Sequence, residues 1–421
     1  MAWVFWGCVA LLAHTYVLYP LSLIAVDAIR QALSNLRFLG GAGDRRGRAE
    51  ETVAPMVSVV IAAHNEAACM GEKLINSLKL DWPGDRLEIV VGSDGSTDAT
   101  CDIVSRFVEQ SLCAELAALG SPDAAPNQRR LFDGRSACAD PRVVLSAAPR
   151  GGKVAVLNRC IPAARGEIVV LTDANTRIDA KALRKLTRHF RDPRVGAVCG
   201  RLRLFNPARR TYEESAYWLY ESFIKFYEGK HGAVLGANGG IYAIRKSLFL
   251  PLAPETIVDD FVIPMRILQA GHSVLYDPEA LAFEETTEDY QREAGRRARI
   301  AAGNFQSLRW VGALLAPGEG FVAYALWSHK LLRWVAPFLM IAAAASNLLL
   351  LTHRWAWLTL VAQLGFYGLA AGSARGLWRH GALRRAGSVA HYFTRMNLAL
   401  LVGFWRFARN SQGAAWERTA R

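Results

Sequence analysis

The sequence predicts an α/β domain with a central, mostly parallel sheet, joined to transmembrane and interfacial helices. Three observations carry that expectation. Between about residues 52 and 305, short β-rich runs alternate with helical periodicity, the pattern of strands linked by helices. Long uncharged runs flank this region on both sides. Fifty-two per cent of the 421 residues are apolar and 21% charged, too apolar for disorder and high for a purely soluble enzyme.

The elements follow in chain order. Ala2–Val26 is 25 residues without a charge, roughly 37 Å as a helix and long enough to cross a bilayer. It lacks the basic n-region and small-residue cleavage site of a signal peptide, so residues 1–30 read as a retained transmembrane helix. Arg30, Arg37, Arg45, Arg46 and Arg48 follow it, which places the next domain in the cytoplasm by the positive-inside tendency, in a bacterial inner or plasma membrane. Residues 52–305 form that domain. Val57–Ala62, Leu87–Val91, Val143–Ser146 and Ile168–Thr172 read as strands; Cys69–Lys79, Asp98–Glu109, Gly152–Ala164 and Ala180–Phe190 read as helices. Residues 111–141 have no period and read as a surface insertion. Residues 306–329 suggest interfacial helices, and 330–410 the C-terminal transmembrane helices. Within the latter, Trp334–Thr352 and Trp355–Ala374 are uncharged runs separated by His353 and Arg354, a tight hairpin. Ala390–Phe407, interrupted by Arg395, either spans or lies in the interface.

Charge and cysteine usage narrow the function classes. The net charge is +13, and from Ala323 onward twelve Lys/Arg face a single acid, Glu417. Those charges punctuate apolar runs, which fits membrane flanks and argues against a nucleic-acid partner. Seven scattered cysteines with no C-x-x-C pair argue against a disulfide framework or a zinc site. No G-x-G-x-x-G follows a strand, no G-x-S-x-G occurs, and Ala147–Val154 lacks both the first Gly and the Ser/Thr of a P-loop. A transporter is disfavoured because the spans carry no buried ion-binding residues.

Acids stand just beyond strand ends instead. Ser93-Asp94-Gly-Ser-Thr-Asp98 puts Asp94 at a strand-to-helix turn and Asp98 at a helix N-terminus, where it reads as a cap. Asp173-Ala-Asn175 follows a second strand, and Val258-Asp259-Asp260 opens a helix. His14 and His231 read as packing or surface residues.

In this order the motifs resemble the membrane-bound branch of glycosyltransferase family 2, which contains cellulose, chitin and hyaluronan synthases and chitooligosaccharide synthase. The resemblance runs from about Pro55 to Ala302. It implies a GT-A, or nucleotide-diphospho-sugar transferase, fold and an inverting hexosyltransferase. Val59–Glu66 resembles the first strand and nucleotide-base loop, with His64, Asn65 and Glu66 on the loop and His64 where Tyr is more usual. Asp94 matches the residue that holds uridine. Gly151-Gly-Lys153 resembles the stretch whose Lys lies near the nucleotide, and Asp173-Ala-Asn175 the Asp-x-Asp metal motif, with Asn in third place. Asn238–Arg245 resembles the acceptor-side Gly-Gly strand.

The base motif can be placed in two registers. A literal Thr287-Glu288-Asp289 precedes a literal Gln306-Ser-Leu-Arg309-Trp310, but too closely for the family spacing of 35–40 residues. Val258-Asp259-Asp260 has the right context, with Arg296-Arg-Ala-Arg299-Ile300 beginning 36 residues later, and is preferred. Asp260 is then the general base. Arg296 and Arg299, three apart on a helix face, either bind the diphosphate or serve the membrane surface. Arg296 replaces Gln and Ile300 replaces the Trp at the polymerases' acceptor position, which puts processive synthesis in doubt.

The expected chemistry is direct displacement at the anomeric carbon of a UDP-sugar. Asp173 and Asn175 hold Mg²⁺ or Mn²⁺, the cation clamps the leaving diphosphate, and Asp260 takes the acceptor proton. The acceptor is a glycan or a lipid-linked sugar at the bilayer, in cell-surface polysaccharide synthesis. A processive synthase and a non-catalytic, sugar-nucleotide-sensing scaffold of an export machine are the competing readings. Export partners and a homo-oligomer are both compatible with the sequence.

Overall fold

The computed structural model describes residues 1–39, 54–108, 142–206, 211–212, 216–285, 290–378 and 380–413. The predicted insertion 111–141 and the Thr287-Glu288-Asp289 triplet fall outside them. The chain divides into a unit that takes in Asp27–Glu288 and a helical unit of Met1–Val26 with Asp289–Gly413.

The first unit is built on a sheet. Its strands are β1 (Val57–Ala63), β2 (Leu87–Asp94), β3 (Val143–Ala148), β4 (Ile168–Asp173), β5 (Arg177–Ile178), β6 (Val195–Asn206), β7 (Thr211–Tyr212), β8 (Tyr242–Arg245) and β9 (Ser273–Glu285). They lie in the order β3-β2-β1-β4-β8-β6-β9-β5, with β7 paired to β6. β1, β2, β3 and β4 are mutually parallel. Beyond β4 the sheet is mixed, so the expected parallel character describes one half of it. The four-residue β8 enters at the edge where β4 ends and runs back along it, which makes the pairs with β4 and β6 antiparallel. β6 and β9 are again parallel.

β1 and β2 are buried along their whole length, as befits strands covered on both faces. Ser58 and Glu88 break their apolar pattern without an unpaired charge. Ser58 Oγ donates to Glu88 and accepts from the Gly166 amide at 2.8 Å, and Glu88 also takes the Arg165 guanidinium at 3.0 Å. This closes the end of the sheet where β1 and β2 begin. The opposite end stays polar. Helices Ala67–Leu78 and Lys153–Ala163 fall where the periodicity places them, as does a third at 100–108. The fourth expected helix is Ala182–Thr187 continued by a 3₁₀ turn at Arg188–Arg191.

Asp98 is the cap its position predicts, and it caps twice. Its carboxylate accepts from the Thr100 amide at 3.0 Å and from the Ala67 amide at 3.1 Å, so one side chain satisfies the first turns of two helices.

In the helical unit, Ala2–Ala13 passes through a π-turn at His14–Leu18 into Tyr19–Leu39. Leu332–Leu348 and Arg354–Ala374 form the expected hairpin about His353. Phe5 and Cys8 pack with Ala343, Leu350 and Ala356, and the Phe5 and Trp355 rings lie 5.4 Å apart. The stretch ahead of the hairpin consists of short turns, Gly312–Leu315, Pro317–Glu319 and Phe321–Ala325. Gly381–Ala408 is one continuous helix, which packs along Tyr290–Val311 through Phe305 and Phe404, 5.1 Å apart. Among the described residues, two helical runs, Ala2–Arg37 and Phe321–Leu348, are long and apolar enough to cross a membrane. His14 bonds Ser328 at 2.9 Å and His231 meets Arg30 at 2.7 Å, the packing roles expected of them.

Asp98→Ala should lower the unfolding free energy by about 1–2 kcal/mol, read as an earlier midpoint in denaturant, because two amides lose their acceptor. Asp98→Asn keeps an acceptor and should lose less.

Candidate active site

The parallel strands deliver acids to one edge. Asp94 ends β2 and Asp173 ends β4, while His64 follows β1, the strand between them. β8 starts from the same edge, so Gly239 and Tyr242 arrive there too. Asp259 and Asp260 open helix Asp259–Gln269, which is pinned to the Gly-Gly stretch by a 2.8 Å bond from the Ala237 amide to the Asp260 carbonyl.

Asp94 is buried, and its Oδ1 accepts from the amides of Gly151 and Gly152 at 2.7 and 2.9 Å. Those bonds fix the turn whose next residue is Lys153. Gly95 takes φ +61°, and a Cβ there would stand 2.7 Å from the Arg150 amide nitrogen, so the turn requires glycine. Among the described residues, the buried Asp94 Oδ2 has no hydrogen-bond partner.

Lys153 reaches from that turn across to β4. Its Nζ lies 3.0 Å from Asp173 Oδ1 and 3.4 Å from Asp259 Oδ2. Both carboxylates face Gly239: a Cβ on it would lie 3.3 Å from Asp260 Oδ2 and 3.5 Å from Asp173 Oδ2. Lys153, Asp173, Gly239, Tyr242 and Asp259 line one cleft. Three carboxylates thus share one ammonium. Burial works against the charge on Lys153, but Asp173, Asp259 and Asp260 outweigh it and hold its pKa above the ordinary lysine value. Burial, then the neighbouring Asp259, push Asp260 up to about 6, against the pull of Lys153. Asp260 nevertheless retains partial exposure, as a group that meets a substrate must.

The expected nucleotide loop zips onto the Asp94 turn. His64 Nδ1 meets the Asp94 carbonyl at 2.8 Å, and Arg150 lies against its other ring nitrogen. Asn65, at φ +55°, donates its amide to Ser96 Oγ at 3.1 Å and accepts from the Thr97 amide at 2.8 Å through its side chain. The Glu66 amide donates to Thr100 Oγ1 at 2.8 Å, and its carboxylate accepts from the Cys69 thiol at 3.3 Å. Asn65 and Glu66 therefore knit two loops together. Asn175 turns its amide nitrogen to Glu284 Oε1 at 2.9 Å, leaving its oxygen as the atom a cation could use. Arg296 and Arg299 lie on Tyr290–Val311 in the helical unit, Arg296 exposed and Arg299 half-buried. On the same helix Arg309 stacks over Phe407 at 5.5 Å.

Among the described residues no three His, Cys, Asp or Glu side chains form a metal-binding group by themselves. The donor set fits a hard divalent cation shared with a ligand: oxygen atoms from Asp173 and Asn175, in a cluster whose three carboxylates exceed its one lysine.

Two buried lysines near the cleft escape sequence motifs, and Tyr242, inside the Asn238–Arg245 stretch, is not singled out by its motif. Tyr242 is buried in the cleft with its hydroxyl unpartnered among the described residues, and burial with Asp259 and Asp260 nearby raises its pKa. Lys225, also buried, donates to Asn238 Oδ1 at 2.7 Å. Lys73 is buried beside β4, and burial lowers its pKa to about 7. Both lysines interrupt the buried stripe of an amphipathic helix, which is the signal that could have found them.

Residues 58–249 match the model of Glycosyl transferase family 2, and residues 168–370 that of Glycosyl transferase family group 2. The chain is similar to Probable glycosyltransferase YdaM of Bacillus subtilis, 26% identical over 59% of this chain and 55% of that protein. It is likewise similar to Beta-monoglucosyldiacylglycerol synthase of Synechocystis, 26% identical over 52% of this chain and 42% of that protein. The matches span about half the length of these curated relatives. Mannosyltransferase PcManGT from Pyrobaculum calidifontis, solved with GDP-Man and Mn²⁺, has the same fold. It superposes with a TM-score of 0.59 at 21% identity, covering 93% of this chain and 98% of that one. Fold and family matches agree: the chain carries Glycosyl transferase family 2 domains on a GT-A-like α/β fold.

Proposed function

We propose that the protein is an inverting, metal-dependent β-glycosyltransferase that moves a hexose from a UDP-sugar to a glycan or lipid-linked acceptor at the membrane. The observation that carries this reading is the meeting of Lys153, Asp173, Asp259 and Asp260 around Gly239, at the polar end of the sheet. Asp173 and Asp259 are both held by Lys153, which leaves Asp260 as the carboxylate free to act as base. Asp260 takes the proton of the acceptor hydroxyl as its oxygen bonds to the anomeric carbon. The bond from that carbon to the diphosphate oxygen breaks, and the nucleoside diphosphate leaves. A single in-line displacement inverts the centre, so an α-linked donor gives a β-product. A cation held by Asp173 and Asn175 supplies charge neutralisation to the leaving diphosphate. Lys153 is placed to share that charge. The unpartnered Asp94 Oδ2 is a ready acceptor for a donor group of the nucleotide. Arg296 and Arg299 remain proposed diphosphate contacts.

The arginine-flanked helices Ala2–Arg37 and Phe321–Leu348 support an integral membrane enzyme with its α/β unit in the cytoplasm. Ile300, in place of the polymerases' Trp, supports one or few additions over processive synthesis. The lipid acceptor in the name of the Synechocystis relative is consistent with a lipid-linked one here.

Radiolabelled transfer from a panel of UDP- and GDP-sugars, with products sized and extracted for lipid, tests the donor and acceptor together. Asp260→Asn should lower transfer by about 10²–10⁴-fold and leave nucleotide binding intact; retained turnover would remove the base from this position. A chelator should abolish transfer, and added Mn²⁺ or Mg²⁺ restore it. Since a raised carboxylate pKa keeps the base protonated in acid, log(kcat/KM) should fall with unit slope as pH drops through about 6. Asp259→Asn removes a charge that holds Asp260 up, so the limb should move to lower pH; an unmoved limb would assign the titration to another group. Gly239→Ala, whose Cβ would stand 3.3 Å from Asp260 Oδ2, should cost roughly tenfold or more in kcat/KM at the about 2 kcal/mol such overpacking brings, with an unchanged circular-dichroism spectrum.

A further inference from the structure

A second lysine lies under the Asp173 turn. Lys73 sits on the buried face of helix Ala67–Leu78 with Met70, Leu74 and Ser77, and is 3% exposed. Its Nζ donates to Thr172 Oγ1 at 2.8 Å and to the Thr176 carbonyl. Those two residues bracket Asp173-Ala174-Asn175. One turn further along the same helix, Asn76 exchanges two bonds with Ile178, at 2.9 and 2.8 Å. The helix thus grips the chain from residue 172 to residue 178 by two side chains, and Lys73 is the one that holds both ends of the acidic turn.

A buried ammonium is costly, and cores usually keep one only when it is ion-paired. Lys73 makes no ion pair with a described residue; a hydroxyl and a carbonyl satisfy it, and burial lowers its pKa to about 7 against the opposing pull of Asp173. For packing alone a methionine would serve at lower desolvation cost. What methionine lacks is the pair of donors that ties strand β4 to the far side of the turn.

We propose that Lys73 is a positioning residue for the donor site: by joining Thr172 to Thr176 it fixes the direction of the Asp173 carboxylate and so sets the affinity for the cation–diphosphate pair. This rests on the reading of Asp173 as the group that meets that pair. Lys73 itself touches neither substrate nor cation. Its loss should therefore weaken donor binding while sparing the acceptor step.

The test uses the full chain in lipid nanodiscs and follows Mn²⁺ binding by the loss of its free electron-paramagnetic-resonance signal, with UDP in one arm and GDP in the other. Lys73→Met should raise the Mn²⁺ Kd in the presence of the preferred nucleotide by about tenfold or more, the equivalent of about 1.4 kcal/mol. Donor KM should rise with it and acceptor KM stay within twofold. Asn76→Ala, on the same helix, should leave the Mn²⁺ Kd within twofold. Thr172→Val removes the same bond from its other end and carries the test if Lys73→Met does not fold. Combined with Lys73→Met, it should add less than the sum of the single effects. Unchanged Mn²⁺ binding in Lys73→Met or Thr172→Val, or equal weakening in Asn76→Ala, overturns the proposal. Asp173→Ala separates the two levels of failure. If it too leaves Mn²⁺ binding unchanged, the donor-site reading itself falls, and the role of Lys73 with it.

Discussion

One ammonium makes the acidic edge of this sheet tenable. Asp173 arrives on β4 and Asp259 and Asp260 on a helix, and Asp173 and Asp260 both turn an oxygen toward Gly239. Like charges a few ångströms apart in a partly dry cleft repel by several kcal/mol at an effective dielectric of about 20. Lys153 offsets this by standing between Asp173 and Asp259. Its own position is inherited. Asp94 clamps Gly151 and Gly152, and those amides aim the first turn of the next helix, so the end of β2 governs the charge balance at the end of β4.

That chain of dependence separates the duties of the four acids. Asp94 is an organiser of the Gly151–Gly152 turn. Asp173 and Asp259 are paired. Asp260, last in the sequence, makes no ion pair among the described residues, and its pKa is raised to about 6. On the proposed reading the imbalance of charge is also what draws a cation and a diphosphate into the cleft together. The cation relieves the carboxylates, and the diphosphate gives Lys153 a second partner, so neither ligand alone suits the site as well as the two do.

The sequence made the parallel half of the sheet legible because β1, β2 and β4 are largely apolar runs, interrupted by Ser58 in β1 and Glu88 in β2, that end in turn residues. β8 was visible only through its Gly-Gly stretch, and the antiparallel returns could not be read, since four residues carry no periodicity that tells direction. Of the site, the acids at strand ends were legible one by one, as was the Asp98 cap. Their partners were not. Asp94 meets Gly151 at a separation of 57 residues and Lys153 meets Asp173 at 20, and no local pattern encodes such distances. Asn65 and Glu66 matched a nucleotide loop by position, yet their hydrogen bonds run to Ser96, Thr97, Thr100 and Cys69, which gives them a structural duty that the motif does not disclose.

What the motifs missed was still written in the helices that flank the cleft. On Ala67–Leu78 the buried stripe is Met70, Lys73, Leu74 and Ser77; on Ala216–Lys230 it takes in Glu221, Ile224, Lys225 and Glu228. An amphipathic helix gains nothing from charge on its inward face unless that face meets polar groups that need it. Lys73 reaches the Thr172–Thr176 turn, and Lys225 reaches Asn238 beside Gly239. Both therefore approach the cleft from outside its motifs. Charged residues that interrupt an apolar helical stripe are thus a second, independent trace of the site: the first trace names the residues at the strand ends, and this one names the residues that hold them there.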